Sequence, residues 1–463
     1  MEIMDGLNSM KWYSIGALPN GVKIELADIP PRDKFKYGYD LWTQGLSVDA
    51  YTIGRTYKAS LRSANLGDGI WLMNFDSKGR LINLSYTGTV WQKESIPSPE
   101  HQAQFTVLTY PKYKPEIHRL LGGTWLMGKW TDTQDRTKLF YRPEVLPPDH
   151  KFIAVGMKVL DLFVGIINGI DTAPLKPEAR RIVEKLRQLN LYDSEGLKKY
   201  EAEFQRLLGL SEKIAVEPPE LALQHYHAIP VVVEDGCGGG CTFCSLYNRK
   251  IRIRSSENVH GQIDGMVEIL GEDVDHFTRV VLLEGDALTV SAGQLATELK
   301  YARAAFAFGG AQFAHAFSKA KTICEKSRDE LIALKDSGLL SVNMGLESGC
   351  QELLNLVKPG QDLDTFKAAT TRLREIGIDV SINIVAGIGG QKFNDRHISE
   401  TVSFVRELPE GVGVYFSPLF LSENCRYNQQ EQEFGALSAD ETETQCRHFE
   451  KMLGASLYLF IPI

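Results

Sequence analysis

The sequence is poor in cysteine and distributes it unevenly. Only seven cysteines occur among 463 residues, and none precedes residue 237. The number is odd, and four of them lie far apart, at Cys324, Cys350, Cys425 and Cys446. The first residues also lack a basic stretch followed by an apolar core, so we expect no secretory signal. These features disfavour a disulfide framework and predict a protein of the reducing cytoplasm.

The sequence also lacks an excess of positive charge and a convincing membrane span. Its net charge of -8 argues against general binding to nucleic acid or to an anionic membrane. The most apolar stretch, residues 152–169, carries Lys158 and Asp161 on one side of a predicted helix. We therefore expect an amphipathic helix packed on a core within a multidomain globular protein.

Composition divides the chain into four parts. All six tryptophans lie in the first 130 residues, whereas every cysteine follows residue 236. Residues 1–150 predict a β-rich N-terminal domain of unknown role, with a hairpin turn from Asp76 to Gly79. Residues 151–227 predict a helical connector, because apolar residues recur every three or four positions. Residues 228–420 form the predicted core, and residues 421–463 a C-terminal segment that closes or supports it.

The core alternates apolar strands with helices. Six strand candidates lie between residues 228 and 420, separated by predicted helices that include 257–270, 291–306, 327–336, 363–376 and 396–408. This order predicts an α/β fold with a parallel sheet, in the form of a partial six-stranded (β/α)6 barrel. Such barrels place their working residues at the carboxyl ends of the strands. A cysteine-rich loop follows the first strand.

That loop, "EDGCGGGCTFCSLYN", holds three cysteines at the spacing CxxxCxxC. Structural zinc normally needs four protein ligands, and no second pair completes this set. A redox pair at Cys241 and Cys244 leaves Cys237 and the three glycines unexplained. A four-iron, four-sulfur cluster held by three cysteines leaves one iron open to another ligand. The glycines allow a tight loop around such a cluster, with positive φ angles and N–H groups near sulfur.

The chain here resembles the radical S-adenosylmethionine (SAM) superfamily, within its broad coproporphyrinogen-oxidase-like group, over roughly residues 228–420. The resemblance implies that Cys237, Cys241 and Cys244 bind a 4Fe-4S cluster and that SAM binds the open iron. Reductive cleavage of SAM then yields methionine and a 5'-deoxyadenosyl radical, which abstracts hydrogen from a small organic substrate. A reducing partner such as flavodoxin or ferredoxin is also implied.

Further motif positions extend the resemblance to the SAM site. Phe243 matches the family's aromatic position beside the adenine. "LEGD" resembles the family's GGE motif, which receives the methionyl ammonium; Glu284, Gly285 and Asp286 occupy it, and either acid can make the contact. An acidic strand end is equally compatible with a helix cap.

Two later strand ends complete this set. Glu347, in "GLESG", occupies a position near the ribose or methionine moiety in related proteins. In "NIVAGIGG", Val385 and Gly387 match the adenine motif GxIxGxxE, whose first glycine and final glutamate are replaced by Asn383 and Gly390.

Three residues are candidates for catalytic pocket positions. His315 lies on the third predicted strand, Tyr415 on the sixth, and Cys425 just beyond it. Tyrosine or cysteine can donate a hydrogen atom to quench a product radical. The alternative is that each is a buried structural group.

Motifs that the sequence lacks disfavour two classes of radical SAM reaction but do not identify the reaction. No second cysteine trio precedes the core, as in methylthiotransferases, and no cobalamin-binding DxHxxG signature is present. The remaining possibilities begin with hydrogen abstraction from an organic substrate. A noncatalytic relative that keeps the cluster and binds or delivers a cofactor is the alternative.

Overall fold

The computed structural model describes residues 11–18, 21–29, 56–63, 70–76, 78–86, 116–119, 125–132, 139–146, 150–208, 228–244, 249–271, 274, 277, 279–308, 313–419, 421 and 425–453. The chain forms two compact units, one comprising residues 1–38 and 48–206, the other residues 39–47 and 207–463. Of the six tryptophans, Trp42 and Trp91 lie outside the described residues.

The first unit contains an eight-stranded antiparallel sheet in which every strand pairs with its neighbour in sequence. The hairpin predicted around Asp76–Gly79 is confirmed, because the flanking strands pair and Gly79 donates its N–H to the Asp76 carbonyl at 3.1 Å. Gly79 adopts φ +78°, a conformation that suits glycine in a tight turn. The strands are β1 Tyr13–Ala17, β2 Lys23–Ile29, β3 Thr56–Arg62, β4 Trp71–Phe75, β5 Leu81–Tyr86, β6 Glu116–Arg119, β7 Trp125–Asp132 and β8 Leu139–Leu146.

Three helices follow the sheet along the chain: α1 Lys151–Gly169, α2 Pro177–Gln188 and α3 Ser194–Leu208. Helix α1 is long and apolar enough to cross a membrane by length and composition. Its buried side chains, however, share one core with the sheet, where Phe75 stacks on Phe163 at 5.4 Å. Lys158 and Asp161 are exposed, which confirms the predicted amphipathic core helix.

The second unit contains a six-stranded parallel sheet, which confirms the predicted fold of the core. The spatial order is β16-β15-β14-β13-β12-β9, so each strand lies beside its predecessor in the series. These strands are β9 Ala228–Val232, β12 Arg279–Leu283, β13 Ala314–Phe317, β14 Leu339–Glu347, β15 Asp379–Ala386 and β16 Gly413–Pro418. A separate two-stranded pair joins β10 Glu234–Asp235 to β11 Arg252–Ile253.

Helices separate the strands as the sequence pattern predicts. They are α4 Ser256–Leu270, α5 Ala292–Ala305, α6 Ala320–Glu325, α7 Arg328–Ser337, α8 Gln351–Val357, α9 Leu363–Ile376, α10 Gly390–Arg406, α11 Tyr427–Phe434 and α12 Ala439–Leu453. Helix α10 begins six residues before the predicted start at residue 396, because Gly389 at φ +82° precedes a polar first turn that resembles a loop in sequence.

Candidate functional site

The three clustered cysteines lie on a loop whose two ends are held together. Strands β10 and β11 pair on either side of it, with Asp235 opposite Arg252. Asp235 also forms ion pairs with Arg252 at 2.9 Å and Arg254 at 2.5 Å. Arg254 is buried, so its ion pair with Asp235 stabilises the loop from within the fold.

Two glycines lie close to the thiols, and at Gly285 the space is too small for a side chain. A Cβ atom on Gly285 would lie 2.5 Å from Cys237 Sγ, well inside contact distance. A Cβ atom on Gly239 would lie 3.3 Å from Cys237 Sγ and 3.8 Å from Cys241 Sγ. Both thiols therefore lie beside the same glycine, and Gly285 brings the end of β12 against the loop.

The glycines between the cysteines have different roles. Gly238 adopts φ +56°, as expected for a tight loop, whereas Gly239 and Gly240 do not have positive φ angles. The backbone N–H of Gly239 donates to Cys237, in agreement with the expected N–H groups near sulfur. A Cβ atom on Gly240 would lie 3.2 Å from Pro359 Cγ, so close packing is the reason for this glycine.

The cysteine loop fits a 4Fe-4S cluster in its donor chemistry. Cys237, Cys241 and Cys244 lie together on one loop after β9. Among the described residues, no group of three His, Cys, Asp or Glu side chains is arranged to hold a single metal ion. Burial raises the pKa of Cys241 to about 12, so a thiolate at this position needs a strong cationic partner such as iron.

The middle of the loop is fixed by backbone contacts from later elements. Thr242 donates its N–H to the Val357 carbonyl at 2.8 Å, at the end of α8. The Thr242 carbonyl accepts from the Cys425 thiol at 2.8 Å and from the Tyr427 N–H at 2.8 Å. Cys425 thus lies against the cysteine loop, whereas the other two catalytic candidates, His315 and Tyr415, lie on strands β13 and β16.

Phe243 and Val385 belong to one buried apolar cluster. Cys241 and Cys244 pack against this cluster, so an apolar surface lies directly beside the cysteine loop. Gly387 follows β15 at φ +89° and donates its N–H to Gln445 Oε1 at 2.7 Å. The structure therefore brings both halves of the predicted adenine site to the loop's apolar side.

Asp286 is fully buried and its carboxylate is satisfied by protein groups. Its Oδ1 accepts from Ser318 Oγ at 2.7 Å and from the Lys319 N–H at 3.1 Å. Its Oδ2 accepts from Thr322 Oγ1 at 2.7 Å and lies 3.1 Å from Lys319 Nζ. Lys319 Nζ also donates to the Cys237 carbonyl at 2.9 Å. Asp286 therefore orients the Lys319 ammonium, which in turn stabilises the cysteine loop.

Glu284 and Glu234 form a second acidic group beside Asp286. Glu284 adopts φ +79°, a strained conformation for a residue other than glycine, and its Oε2 accepts from the Gly236 N–H at 3.4 Å. Glu234 accepts from the Asp286 N–H at 2.9 Å through Oε1, while its buried Oε2 has no hydrogen-bond partner. Burial raises the pKa of Glu234 to about 8 and that of Glu284 to about 7.

Glu347 ends β14 in a strained conformation, at φ +62°. Its Oε1 pairs with Lys358 Nζ at 2.9 Å, and Lys358 Nζ also donates to the Gly345 carbonyl. Its Oε2 is buried without a hydrogen-bond partner. Although burial disfavours the charged amine, Glu347 and Cys241 raise the pKa of Lys358, so the ammonium persists beside the cysteine loop.

His315 and Tyr415 are buried on the sheet of the second unit. His315 Nδ1 lies 2.5 Å from Ser341 Oγ. Burial, together with the positive charge of Arg279, lowers the pKa of His315 to about 3, so its imidazole is neutral. Tyr415 lies in register with Asn383 on β15.

Sequence reasoning did not identify Glu234, Lys319 or Lys358 as part of the site. Glu234 has a recognisable signal, a carboxylate directly after the apolar run of β9. Lys319 and Lys358 precede or follow short helices, and only their long-range contacts reveal them.

Replacing Gly285 by alanine tests the contact with Cys237. The new Cβ atom would displace the Cys237 thiol, so Gly285→Ala should lose most of its iron and sulfide after anaerobic reconstitution. Gly293→Ala on α5 is the matched control, because nothing lies within 4 Å of the added Cβ. Equal iron content in the two folded variants would contradict the proposed packing.

Replacing Glu234 by glutamine tests its protonation in the cluster-free, reduced protein. Glu234 stays protonated in the fold but ionises on unfolding, so its contribution to stability falls as pH rises through about 8. Between pH 6.5 and 8, the wild type should lose about 1–2 kcal/mol more unfolding free energy than Glu234→Gln. Denaturant titrations measure this difference, with exposed Glu375→Gln as control. Parallel pH profiles for wild type and Glu234→Gln would refute the protonated state.

Comparison with known proteins agrees with this geometry. Residues 231–405 match the family "Radical SAM superfamily". The chain is 26% identical over 224 residues to tRNA-2-methylthio-N(6)-dimethylallyladenosine synthase from Methylococcus capsulatus, over 43% of this chain and 45% of the relative. It therefore spans about half the length of that curated relative.

The chain also has weak similarity to solved structures, at low sequence identity. Coproporphyrinogen III oxidase from Escherichia coli gives a TM-score of 0.37 at 18% identity, over 49% of this chain and 52% of that one. Methylornithine synthase gives 0.37 at 14% identity, over 63% and 77% respectively. The family match includes the end of β9, the cysteine loop and the strand ends that surround it. On that match, residues 231–405 form a domain of the radical SAM superfamily, whose members use a 4Fe-4S cluster and SAM.

Proposed function

We propose that this protein is a cytoplasmic radical SAM enzyme that binds its cluster through Cys237, Cys241 and Cys244 and abstracts hydrogen from a small organic substrate. The observation that carries the proposal is the close contact between Cys237 Sγ and Gly285. It joins the only three closely spaced cysteines in the sequence to the GGE-like strand end, which is the junction that cluster and SAM share in this superfamily.

A 4Fe-4S cluster held by Cys237, Cys241 and Cys244 would supply the electron, taken from a reductant such as flavodoxin or ferredoxin, for cleavage of SAM to methionine and a 5'-deoxyadenosyl radical. The chain's own residues bind and orient the reactants. Phe243 and Val385 provide an apolar surface for the adenine, beside the cysteines. Gly387, at φ +89°, allows the backbone to turn at the edge of this surface.

The polar end of SAM is assigned to the acidic strand ends. Glu347 keeps one buried oxygen without a partner, which suits a hydrogen-bond donor of the ribose or methionyl group. Glu284 is the second candidate, since both oxygens of Asp286 are already engaged by Ser318, Lys319 and Thr322. Asp286 then acts as a positioning residue, through Lys319 and the backbone of Cys237.

The C-terminal segment supports the site in this proposal. Residues 425 and 427 contact the Thr242 carbonyl, and Tyr427 accepts the Gly389 N–H at 2.7 Å through its hydroxyl. These contacts hold the cysteine loop against the end of β15. The Cys425 thiol lies against the cysteine loop, whereas His315 and Tyr415 lie on the sheet and are the candidates for contact with substrate.

A small substrate is favoured over transfer RNA, although the curated relative is named for a modified tRNA nucleoside. The present chain has net charge -8, and it has no cysteine before residue 237 to form the additional trio of methylthiotransferases. The match covers under half of the relative, so its reaction does not transfer with the fold.

Removing the three cysteines tests the function directly. After anaerobic reconstitution with dithionite as reductant, the wild type should convert SAM to methionine and 5'-deoxyadenosine. The Cys237→Ala, Cys241→Ala, Cys244→Ala triple variant should lose the cluster and this conversion, because thiolates are the cluster ligands. Cys324→Ala removes a thiol elsewhere and should retain both. A cluster-loaded wild type that binds SAM without cleaving it would instead indicate a carrier protein.

Replacing Glu347 by glutamine tests the SAM site separately from the cluster. Loss of a charged acceptor should weaken SAM binding about ten-fold, corresponding to roughly 1.4 kcal/mol, while iron content stays near that of the wild type. Equilibrium dialysis with labelled SAM measures the affinity. Glu352→Gln, at an exposed carboxylate on α8, is the control. Unchanged affinity in Glu347→Gln would remove Glu347 from the site.

A further inference from the structure

Four neighbouring strands carry polar residues where a buried parallel sheet is normally apolar. In β13 to β16, polar positions alternate with apolar ones. The polar residues are His315 on β13, Ser341 and Asn343 on β14, Ser381 and Asn383 on β15, and Tyr415 and Ser417 on β16. Strands covered on both faces usually read as continuous apolar runs. The strict alternation shows that one face of this half of the sheet is built for polar contacts.

The strand register places all of these residues on the same face. His315 aligns with Ser341, Asn343 with Ser381, and Asn383 with Tyr415. The intervening residues face the helices, as Phe416 shows by stacking on Phe449 of α12 at 5.2 Å. The polar residues therefore occupy the inner face of the partial barrel, opposite the helical layer.

Side-chain hydrogen bonds link these polar residues across the strands. Asn343 Nδ2 donates to Ser381 Oγ at 2.9 Å, and Ser417 Oγ donates to Asn383 Oδ1 at 2.9 Å. Within the described strands, the charged residues of this face lie at its two ends. Arg279 and Asp379 stand at the amino ends of β12 and β15, and Glu347 stands at the carboxyl end of β14, where it pairs with Lys358 at 2.9 Å. The described part between these ends is polar and carries no unpaired formal charge.

The other half of the same face is apolar. Ala228, Val232, Val281 and Leu283 on β9 and β12 form a buried cluster, and Phe317 of β13 packs against it. An uncharged polar surface thus adjoins an aliphatic and aromatic one. A ligand that satisfies both surfaces has hydrogen-bonding groups along one edge and hydrocarbon along the other.

Asn383 supplies the observation that points to a ligand. Its side chain is buried, with 9% exposure, and its Nδ2 has no hydrogen-bond partner. A buried amide without partners costs free energy unless another group satisfies it. Asn383 also stands where the adenine motif has its first glycine, so this chain adds an amide at that point. Its register neighbour, Gly345, lies under the Glu347–Lys358 pair of the site.

We infer that the substrate is an uncharged, amphiphilic small molecule whose carbonyl or hydroxyl oxygen accepts a hydrogen bond from Asn383 on the inner face of the sheet. This inference rests on the proposed function and specifies its substrate class. In the described centre of this face, an anionic substrate finds no unpaired cation and a cationic one finds no unpaired carboxylate, since Lys358 and Glu347 neutralise each other. A charged group of the substrate would be buried without a counterion of its own, at high cost in free energy.

Deuterium transfer tests the substrate class in the full-length, reconstituted protein. The probe is an extract of bacterial cells that were grown in deuterated medium. The extract is separated in ordinary water into neutral, anionic, cationic and macromolecular fractions. Each fraction is incubated with protein, SAM and dithionite, and deuterium in 5'-deoxyadenosine is measured by mass spectrometry. Deuterium should enter 5'-deoxyadenosine from the neutral small-molecule fraction.

Variants connect this transfer to Asn383. Asn383→Leu should reduce deuterium transfer from the neutral fraction by about three- to ten-fold, the usual effect of losing one hydrogen bond, while the cluster content stays that of the wild type. Ser417→Ala, which removes the hydroxyl that orients the amide, should reduce it in the same direction. Asn355→Leu, at an exposed amide on α8, is the matched control.

The outcomes separate this inference from the proposed function. Deuterium from an anionic, cationic or macromolecular fraction would overturn the substrate class and leave hydrogen abstraction intact. Wild-type transfer in a folded, cluster-loaded Asn383→Leu protein would overturn the role of Asn383. Formation of 5'-deoxyadenosine without deuterium from any fraction would overturn the proposed function, and the inference with it.

Discussion

The contact between the Cys237 thiol and Gly285 is the constraint on which the site depends. It brings the loop after β9 to the end of the neighbouring strand β12, at a distance that no side chain on residue 285 allows. Since adjacent parallel strands end at the same edge of the sheet, their loops meet there. The acidic residues after β12 therefore lie beside the cysteines. Among them, Asp286 pairs with Lys319, and Lys319 donates a hydrogen bond to the Cys237 carbonyl.

Two strained residues border this contact. Glu284 and Glu347 both adopt positive φ angles, at +79° and +62°, which cost of order 1–3 kcal/mol each for residues other than glycine. Such strain persists only where surrounding contacts fix the backbone. Lys358 holds Glu347 by an ion pair of 2.9 Å, and the Gly236 N–H contacts Glu284. Both carboxylates thus end parallel strands and lie at the loop's edge, in orientations set by the backbone.

Local patterns in the sequence were sufficient to predict the sheet of the second unit, the hairpin at Asp76–Gly79 and the cysteine trio, because each depends on neighbouring residues. Long-range contacts were not predictable in this way. The "LEGD" motif does not reveal that Asp286 is satisfied by Ser318 and Thr322. The position of Cys425 after β16 likewise does not reveal that its thiol donates a hydrogen bond to the carbonyl of Thr242, 183 residues earlier. Such contacts follow from tertiary packing alone.

The central claim is that Cys237, Cys241 and Cys244 leave one iron of the cluster open for SAM. Electron–nuclear double resonance of the reduced, reconstituted protein with SAM labelled by ¹⁷O in its carboxylate and ¹⁵N in its amine measures this most directly. The account predicts hyperfine coupling of both nuclei to the cluster spin. A reduced 4Fe-4S signal with SAM bound to the protein but without either coupling would contradict it.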